Sequence, residues 1–134
     1  DDIERVMRWD RSMIGSDGVS GQKTDHPRTF GTFPRVLGCY VREKKIITLE
    51  NAIRKMTYLP AMVYGLSTKG LIREGMDADL VLFDPDTIGD NNDYANPYVK
   101  NSGLDYVIVG GEIAVRDNVA TGALGGKQLR KTVD

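Results

Sequence analysis

The sequence contains a single cysteine, Cys39, so a disulfide within the chain is excluded. This sparse use of cysteine favours a reducing compartment, and the predicted location is the cytoplasm. Lys and Arg number 18 against 19 Asp and Glu, and the net charge of -1 gives no electrostatic reason to expect nucleic acid or a membrane surface as a partner. No apolar run approaches the roughly 20 residues of a membrane span, and the N-terminus has no signal-peptide pattern.

The composition is that of an ordinary globular domain. The 134 residues are 40% hydrophobic and 28% charged, which is enough for one domain with a buried core. The sequence does not begin with Met and opens directly on a helix-like pattern. We therefore expect it to be a piece of a longer protein.

An acidic residue follows a short apolar run near the N-terminus. Residues 12–16 predict a buried strand, and Asp17 stands at its C-terminal tip, where α/β barrels present catalytic groups. Arg28, about ten residues on, is within loop reach of this acid. From spacing alone, Ser16-Asp17-Gly18 is more often only a turn, with Asp17 capping the backbone. Arg28 alone would be taken as a surface residue that braces an acidic loop.

The first half of the sequence is predicted to be mainly helical. The expected elements are a helix over residues 1–9, a long loop over residues 17–32, a helix from Phe33 to Glu43 with Pro34 in its first turn, a helix capped by Thr48 that continues to Met56, and a short helical segment over residues 60–64 closed by Gly65.

The second half, from about residue 66, is predicted to be a small sheet. Leu80–Phe83 reads as a buried strand, and Tyr106–Val109 and Ile113–Val115 read as two strands joined by a Gly110-Gly111 hairpin. Residues 86–102 are rich in Asn and Asp and are predicted to be a loop. The tail from Thr121 is expected to be extended.

Several other residues have simple structural interpretations. Cys39 is predicted to be a small buried hydrophobe and not a nucleophile. His26 is expected to organise its loop, with proton transfer as the less frequent role for such a residue. The remaining assignments are Trp9, Tyr40 and Phe83 in the core, Asp79 and Asp84 in turns beside a strand, and Asp90, Asn91, Asn92 and Asp93 on a polar surface.

Three groups of residues together resemble the amidohydrolase superfamily, and specifically the N-acyl-D-amino-acid deacylases (D-aminoacylases). The first is Ile14–Gly18 with His26-Pro27-Arg28 and residues 31–35. The second is the helical segment of residues 49–57 with Leu59-Pro60-Ala61, and the third is the glycine- and aspartate-punctuated stretch of residues 70–84. The first group is closest to the deacylases, while the third is general to the superfamily.

The resemblance implies an α/β fold followed by a small β domain. Residues 1–65 would be the last strand and helices of a (β/α)8 barrel, and residues 66–134 the C-terminal part of a flanking β-sandwich. The full-length enzyme would hold zinc through His and Cys ligands of earlier strands. The single histidine, His26, matches a loop motif and not a ligand, so we expect no metal on this chain alone and no activity without the rest of the enzyme.

The resemblance also implies residue roles. Asp17 would be the general acid and base of amide hydrolysis and a possible metal contact. Arg28 would bind the α-carboxylate of an N-acyl-D-amino acid, which suits a planar bidentate donor. A dihydroorotase-like or imidase-like amidohydrolase is a related alternative, but such enzymes usually lack the His-Pro-Arg segment.

A non-catalytic module derived from an amidohydrolase C-terminus is the alternative from another class. The strand at residues 12–16 would then lack both barrel neighbours. Its free edges and the apolar helix faces would favour self-association of the chain.

Overall fold

A computed structural model describes residues 1–19, 21 and 26–129. The elements, in chain order, are α1 (Asp2–Arg8), α2 (Arg28–Arg35), a π-helix (Val36–Glu43), α3 (Leu49–Met56), α4 (Tyr58–Tyr64), β1 (Leu80–Phe83), β2 (Leu104–Val109), β3 (Glu112–Arg116) and β4 (Val119–Ala120). Residues 20 and 22–25 of the predicted loop, and 130–134 of the predicted tail, lie outside the described residues. No described helix is long and apolar enough to span a membrane.

Three of the predicted helices are confirmed, with the predicted Thr48 cap and Gly65 terminator and with a cap at Asp1 that was not predicted. The Asp1 side chain accepts a hydrogen bond from the Ile3 amide at the start of α1. Thr48 accepts one from the Asn51 amide at the start of α3, as an N-cap residue does. Helix α4 ends at Gly65, whose φ of 71° is the left-handed conformation typical of a helix C-terminus.

The prediction that residues 17–32 are entirely loop is wrong at its C-terminal end. Helix α2 already begins at Arg28, and Pro34 lies inside the helix instead of in its first turn. Proline lacks the amide that would bond the carbonyl four residues earlier, which is that of Phe30. The side-chain amide of Asn101 donates to this carbonyl at 2.9 Å. A residue more than 60 positions away therefore compensates for the proline.

The chain continues from α2 into a π-helix, where an α-helix was expected. The amide of Lys44 bonds the carbonyl of Cys39, five residues back, at 2.8 Å. Val36 and Leu37 are buried, whereas Cys39 is only partly buried. The prediction that Cys39 is a small buried hydrophobe is therefore wrong as to its burial.

The strand predicted at residues 12–16 is not formed, since the described residues 12–19 contain no strand. A strand exists only through pairing with a neighbouring strand. Here the Ile14 amide bonds the Lys55 carbonyl, at the end of α3, at 3.2 Å. The segment that leads to Asp17 is thus held by a helix terminus.

Lys55 is fully buried and holds the same segment through its side chain. Its Nζ donates to the carbonyls of Trp9 and Ser12 and to the Ser12 hydroxyl. Burial lowers the pKa of the Lys55 ammonium, against a smaller opposite effect from Asp10.

Trp9 follows α1 in extended conformation, and its side chain is 62% exposed, so its predicted place in the core is wrong.

The four strands form one antiparallel sheet in the order β1-β2-β3-β4. The Gly110-Gly111 hairpin between β2 and β3 is confirmed, with φ of 58° and 84°, as a type I′ turn requires. Asp117 and Asn118, at φ of 48° and 61°, make a similar turn into β4, which the sequence analysis did not predict.

Strand β1 is in place, but the prediction that it is buried is wrong. Leu80, Val81 and Leu82 are 36%, 57% and 56% exposed. The strand lies at the edge of the sheet, and the described part of the chain places no second layer over these side chains. The apolar side chains of β1 therefore form an exposed patch on the described part of the chain.

The buried core joins both halves of the sequence. Its buried members are Met7, Val36, Leu37, Ala52 and Ile88, and Tyr40 and Phe83 pack against them as predicted. Ile88 comes from the loop between β1 and β2 and is 2% exposed. A Cβ at Gly38 would stand 2.8 Å from the Ile88 carbonyl oxygen, so only glycine allows this approach. This contact anchors the β1–β2 loop to the helices.

Candidate functional site

The structure brings Asp17 and Arg28 into direct contact. Arg28 Nη2 lies 2.8 Å from Asp17 Oδ2, and the two side chains are 44% and 81% exposed. An ion pair this open to water contributes less than about 1 kcal/mol. A ligand carboxylate could therefore replace Asp17 at Arg28 at little cost.

The backbone at Asp17 is in the left-handed region, with φ of 47°. Aspartate tolerates this conformation better than most residues, and Lys45, Asp117 and Asn118 adopt it as well. The Ser16 hydroxyl accepts a hydrogen bond from the Gly18 amide at 3.2 Å, so serine caps this turn. The Asp17 carboxylate meanwhile points to Arg28.

His26 connects the backbone of Arg28 to the β1–β2 loop. Its Nδ1 accepts a hydrogen bond from the Arg28 amide at 3.0 Å, and its Nε2 lies 3.0 Å from Tyr94 Oη. Because Nδ1 is the acceptor, a neutral ring carries its proton on Nε2 and donates it to Tyr94. The two rings meet edge to face, with centroids 4.8 Å apart. These contacts fit the expected loop-organising role of His26.

Asn92 holds the same segment from the other side. Its Nδ2 donates to the Pro27 carbonyl at 3.0 Å and to the Pro97 carbonyl at 3.2 Å. A Cβ at Gly31 would lie 2.3 Å from Asn92 Oδ1, so the amide packs directly on the glycine of α2. Asn92 is only 9% exposed, and its prediction as polar surface is wrong.

A second ion pair ties α2 to the loop. Arg35 Nη1 lies 2.9 Å from Asp90 Oδ2, and the Asp90 side chain is 13% exposed, so Asp90 also departs from the predicted polar surface. The hydrogen bond to Asp90 raises the pKa of Arg35 further above its usual range. Arg35 is therefore held in an ion pair with the loop between β1 and β2.

A cleft of about 300 Å³ lies between the start of α2 and this loop. The charged and polar side chains on its wall include His26, Arg28, Arg35, Asp90, Asn92 and Tyr94. Sequence reasoning identified Arg28 and His26 but missed Asn92 and Tyr94. Tyr94 could have been noticed as an aromatic residue inside an Asn- and Asp-rich loop. No feature of the sequence distinguished Asn92 from the polar residues around it.

The described residues do not by themselves form a zinc site. Zinc is usually held by three or four nitrogen, sulfur or oxygen ligands. No group of three or more His, Cys, Asp and Glu side chains lies together in the described ranges. Asp17 would supply one carboxylate, and that carboxylate is paired with Arg28.

The chain belongs to the amidohydrolase family, since residues 8–115 match that family's model. A D-aminoacylase of Alcaligenes xylosoxydans xylosoxydans is 40% identical over 131 residues, which are 98% of this chain and 27% of that protein. An N-acyl-D-glutamate deacylase of the same organism is 43% identical over 110 residues, which are 82% of this chain and 22% of that protein. The chain thus spans about a quarter of the length of these relatives.

Solved structures give the same result. A D-aminoacylase crystal structure superposes with a TM-score of 0.88 at 41% identity over 91% of this chain and 26% of that one. The N-acyl-D-glutamate deacylase of Bordetella bronchiseptica, complexed with zinc and a phosphonate mimic of the tetrahedral intermediate, gives 0.82 at 41% identity over 84% of this chain and 24% of that one. The resemblance to N-acyl-D-amino-acid deacylases is confirmed, and the N-acyl-D-glutamate deacylase among these structures is a zinc complex.

Proposed function

We propose that this chain is the C-terminal part of a metal-dependent enzyme that hydrolyses the amide bond of N-acyl-D-amino acids. Within it, residues 1–65 would complete the barrel and residues 66–134 would complete the flanking β-sandwich. The proposal is supported by relatives named as D-aminoacylase and N-acyl-D-glutamate deacylase, of which the chain spans 27% and 22%. The cytoplasmic location stays a prediction.

The observation that carries the proposal is the contact between Asp17 and Arg28. In an N-acyl amino acid, only the α-carbon separates the amide nitrogen from the carboxylate. A side chain that moves a proton at that nitrogen must therefore lie beside one that binds the carboxylate. A separation of 2.8 Å between the two charged groups meets this requirement.

The chemistry assigned to this chain has two parts. Arg28 binds the substrate carboxylate in place of Asp17, through paired charge-assisted hydrogen bonds. The released Asp17 carboxylate accepts a proton from the attacking water and delivers it to the leaving nitrogen. The metal of the full-length enzyme supplies the activation of that water. Its ligands, apart from a possible contact by Asp17, would come from other segments.

The experiment uses the full-length enzyme with an N-acyl-D-amino acid and its neutral carboxamide analogue. Asp17→Asn should lower kcat by about 100-fold or more, the usual contribution of general acid–base catalysis. Arg28→Met should raise KM for the acid by about 10- to 100-fold, because a charged hydrogen bond is worth about 1.5–3 kcal/mol, and should affect the carboxamide much less. Arg73→Met, an exposed arginine away from the cleft, is the matched control. Equal losses on both substrates with Arg28→Met would contradict the proposed role of Arg28.

Two alternatives have specific support. The exposed side chains of β1 favour a self-associating module, which sedimentation of the isolated chain would detect as a dimer or larger species.

A dihydroorotase of Lactobacillus johnsonii is 33% identical over 67 residues, but these are 50% of this chain. Release of product from dihydroorotate, and not from an N-acyl-D-amino acid, would support that enzyme class.

A further inference from the structure

The loop between β1 and β2 contacts His26 and Pro27, the two residues that precede Arg28. Asn92 donates to the carbonyl of Pro27, and Tyr94 contacts the ring of His26. Nδ1 of the same ring accepts a hydrogen bond from the backbone amide of Arg28. The backbone of Arg28 is therefore held by a segment more than 60 residues later in the chain.

Asn92 is the more buried of the two contacts, because it is 9% exposed while Tyr94 is 79% exposed. Its Nδ2 bridges the carbonyls of Pro27 and Pro97, which joins the loop to the residue before α2. Its Oδ1 is buried without a hydrogen-bond partner. Exchanging the two ends of the amide would place an oxygen against both carbonyls, so the two donated bonds determine its orientation.

Gly31 allows the Asn92 side chain to pack directly against the backbone of α2. The Asn92 amide occupies the space that a Cβ at residue 31 would fill, with Oδ1 only 2.3 Å from that position. The loop therefore contacts the helix backbone itself, one turn after Arg28. A displacement of Asn92 would change the position of the start of α2, and Arg28 with it.

We propose that Asn92 is a positioning residue that sets the pose of Arg28 for the substrate carboxylate, an inference that rests on the proposed function. Bidentate binding of a carboxylate by a guanidinium depends on the placement of its plane. Small displacements of such a group reduce binding strongly. In this role Asn92 acts on Arg28 through the Pro27 carbonyl.

The test compares the selectivity of full-length variants for an N-acyl-D-amino acid over its carboxamide analogue. Asn92→Leu keeps a similar volume and removes both donated hydrogen bonds. It should raise KM for the acid about tenfold, the effect of about one lost hydrogen bond, while kcat/KM for the carboxamide changes less than about twofold. Asn91→Leu is the matched control, because Asn91 is exposed and donates only to the Lys100 carbonyl of its own loop.

A second variant covers the case in which Asn92→Leu does not fold. Tyr94→Phe keeps the ring contact with His26 and removes only the hydroxyl. It should lower the selectivity for the acid in the same direction and by a smaller factor. Circular dichroism and the unfolding temperature establish that each variant is folded.

The outcomes separate this inference from the proposed function. If Arg28→Met removes the selectivity for the acid while folded Asn92→Leu and Tyr94→Phe keep it, the positioning role is overturned and the proposed function stands. If Asn92→Leu lowers kcat/KM equally for both substrates, its role is structural only and the inference is overturned. If Arg28→Met leaves the selectivity unchanged, both the role of Arg28 and the inference that depends on it are overturned.

Discussion

Substituting Gly31 with alanine sets two physical effects against each other. Gly31 lies in α2, and alanine in a helix interior is favoured over glycine by about 1 kcal/mol. Helix propensity alone therefore predicts a more stable protein. The added Cβ, however, would lie 2.3 Å from Oδ1 and 2.9 Å from Nδ2 of Asn92, closer than real atoms approach.

The steric effect should outweigh the propensity. Asn92 has to move, which breaks its hydrogen bonds to the Pro27 and Pro97 carbonyls at a net cost of about 1 kcal/mol each. The Pro27 carbonyl still accepts the Gly31 and Phe30 amides, so no further cost is counted for it. After subtracting the gain in propensity, Gly31→Ala should lower the free energy of unfolding by about 1 kcal/mol.

The assay is urea unfolding of the full chain, followed by far-ultraviolet circular dichroism. Gly15→Ala is the control, since its added Cβ would have no atom within 4 Å and should change stability by less than about 0.5 kcal/mol. The double variant with Asn92→Ala tests the cause. With the amide removed, alanine at residue 31 should stabilise the chain by its helix propensity of about 1 kcal/mol, which corresponds to a coupling energy of about 2 kcal/mol.

A stable Gly31→Ala variant would refute this reasoning. If it unfolds at the same or a higher urea concentration than the parent chain, then Asn92 does not pack on Gly31 as described. Equal losses from Gly31→Ala with and without Asn92 would show that the substitution acts elsewhere in α2.

Three further predictions concern the hydrogen bonds of other charged side chains. Hydrogen bonds from Lys69 and the Gly110 amide lower the pKa of Asp79, so its contribution to stability is present above pH 4 or so and is lost as the pH falls through the lowered value. Acid titration of stability should show this loss in the parent chain and not in Asp79→Asn, and identical titrations would contradict it. Lys55→Met should lower the free energy of unfolding by about 1–3 kcal/mol, measured in urea, because the hydrogen bonds from Lys55 Nζ to the carbonyls of Trp9 and Ser12 are lost; an unchanged midpoint would contradict it. Burial also lowers the pKa of Lys55, so the stability of the parent should rise with pH between this lowered value and about 10.4, and the difference between parent and Lys55→Met should carry that dependence.

The parts of the fold that depend on neighbouring residues were predictable from the sequence. Thr48 caps α3, Gly65 ends α4 and Gly110-Gly111 forms a hairpin because each effect acts within a few residues. The sequence also placed Arg28 within loop reach of Asp17, although ten extended residues can span about 35 Å and the contact itself is a result of the tertiary structure.

The errors arose where distant parts of the chain decide the local structure. Residues 12–16 have the sequence of a strand but pair with no strand within residues 1–19, 21 and 26–129, and the end of α3 holds them instead. Pro34 is tolerated inside α2 because Asn101 bonds the carbonyl that proline leaves free. The apolar residues of β1 were correctly placed in a strand, but burial depends on a covering layer that a strand pattern does not report.

The sequence by itself determined the family of this protein, the start of α3, the end of α4, the Gly110-Gly111 hairpin and the choice of Asp17 and Arg28 as candidate site residues. Only the tertiary structure showed that Asn92 and Tyr94 hold the segment before Arg28. The physical reason is range: capping and turn formation act over three or four residues, whereas the loop reaches α2 across more than 60. No periodicity in a polar loop distinguishes an asparagine buried against Gly31 from one that faces water.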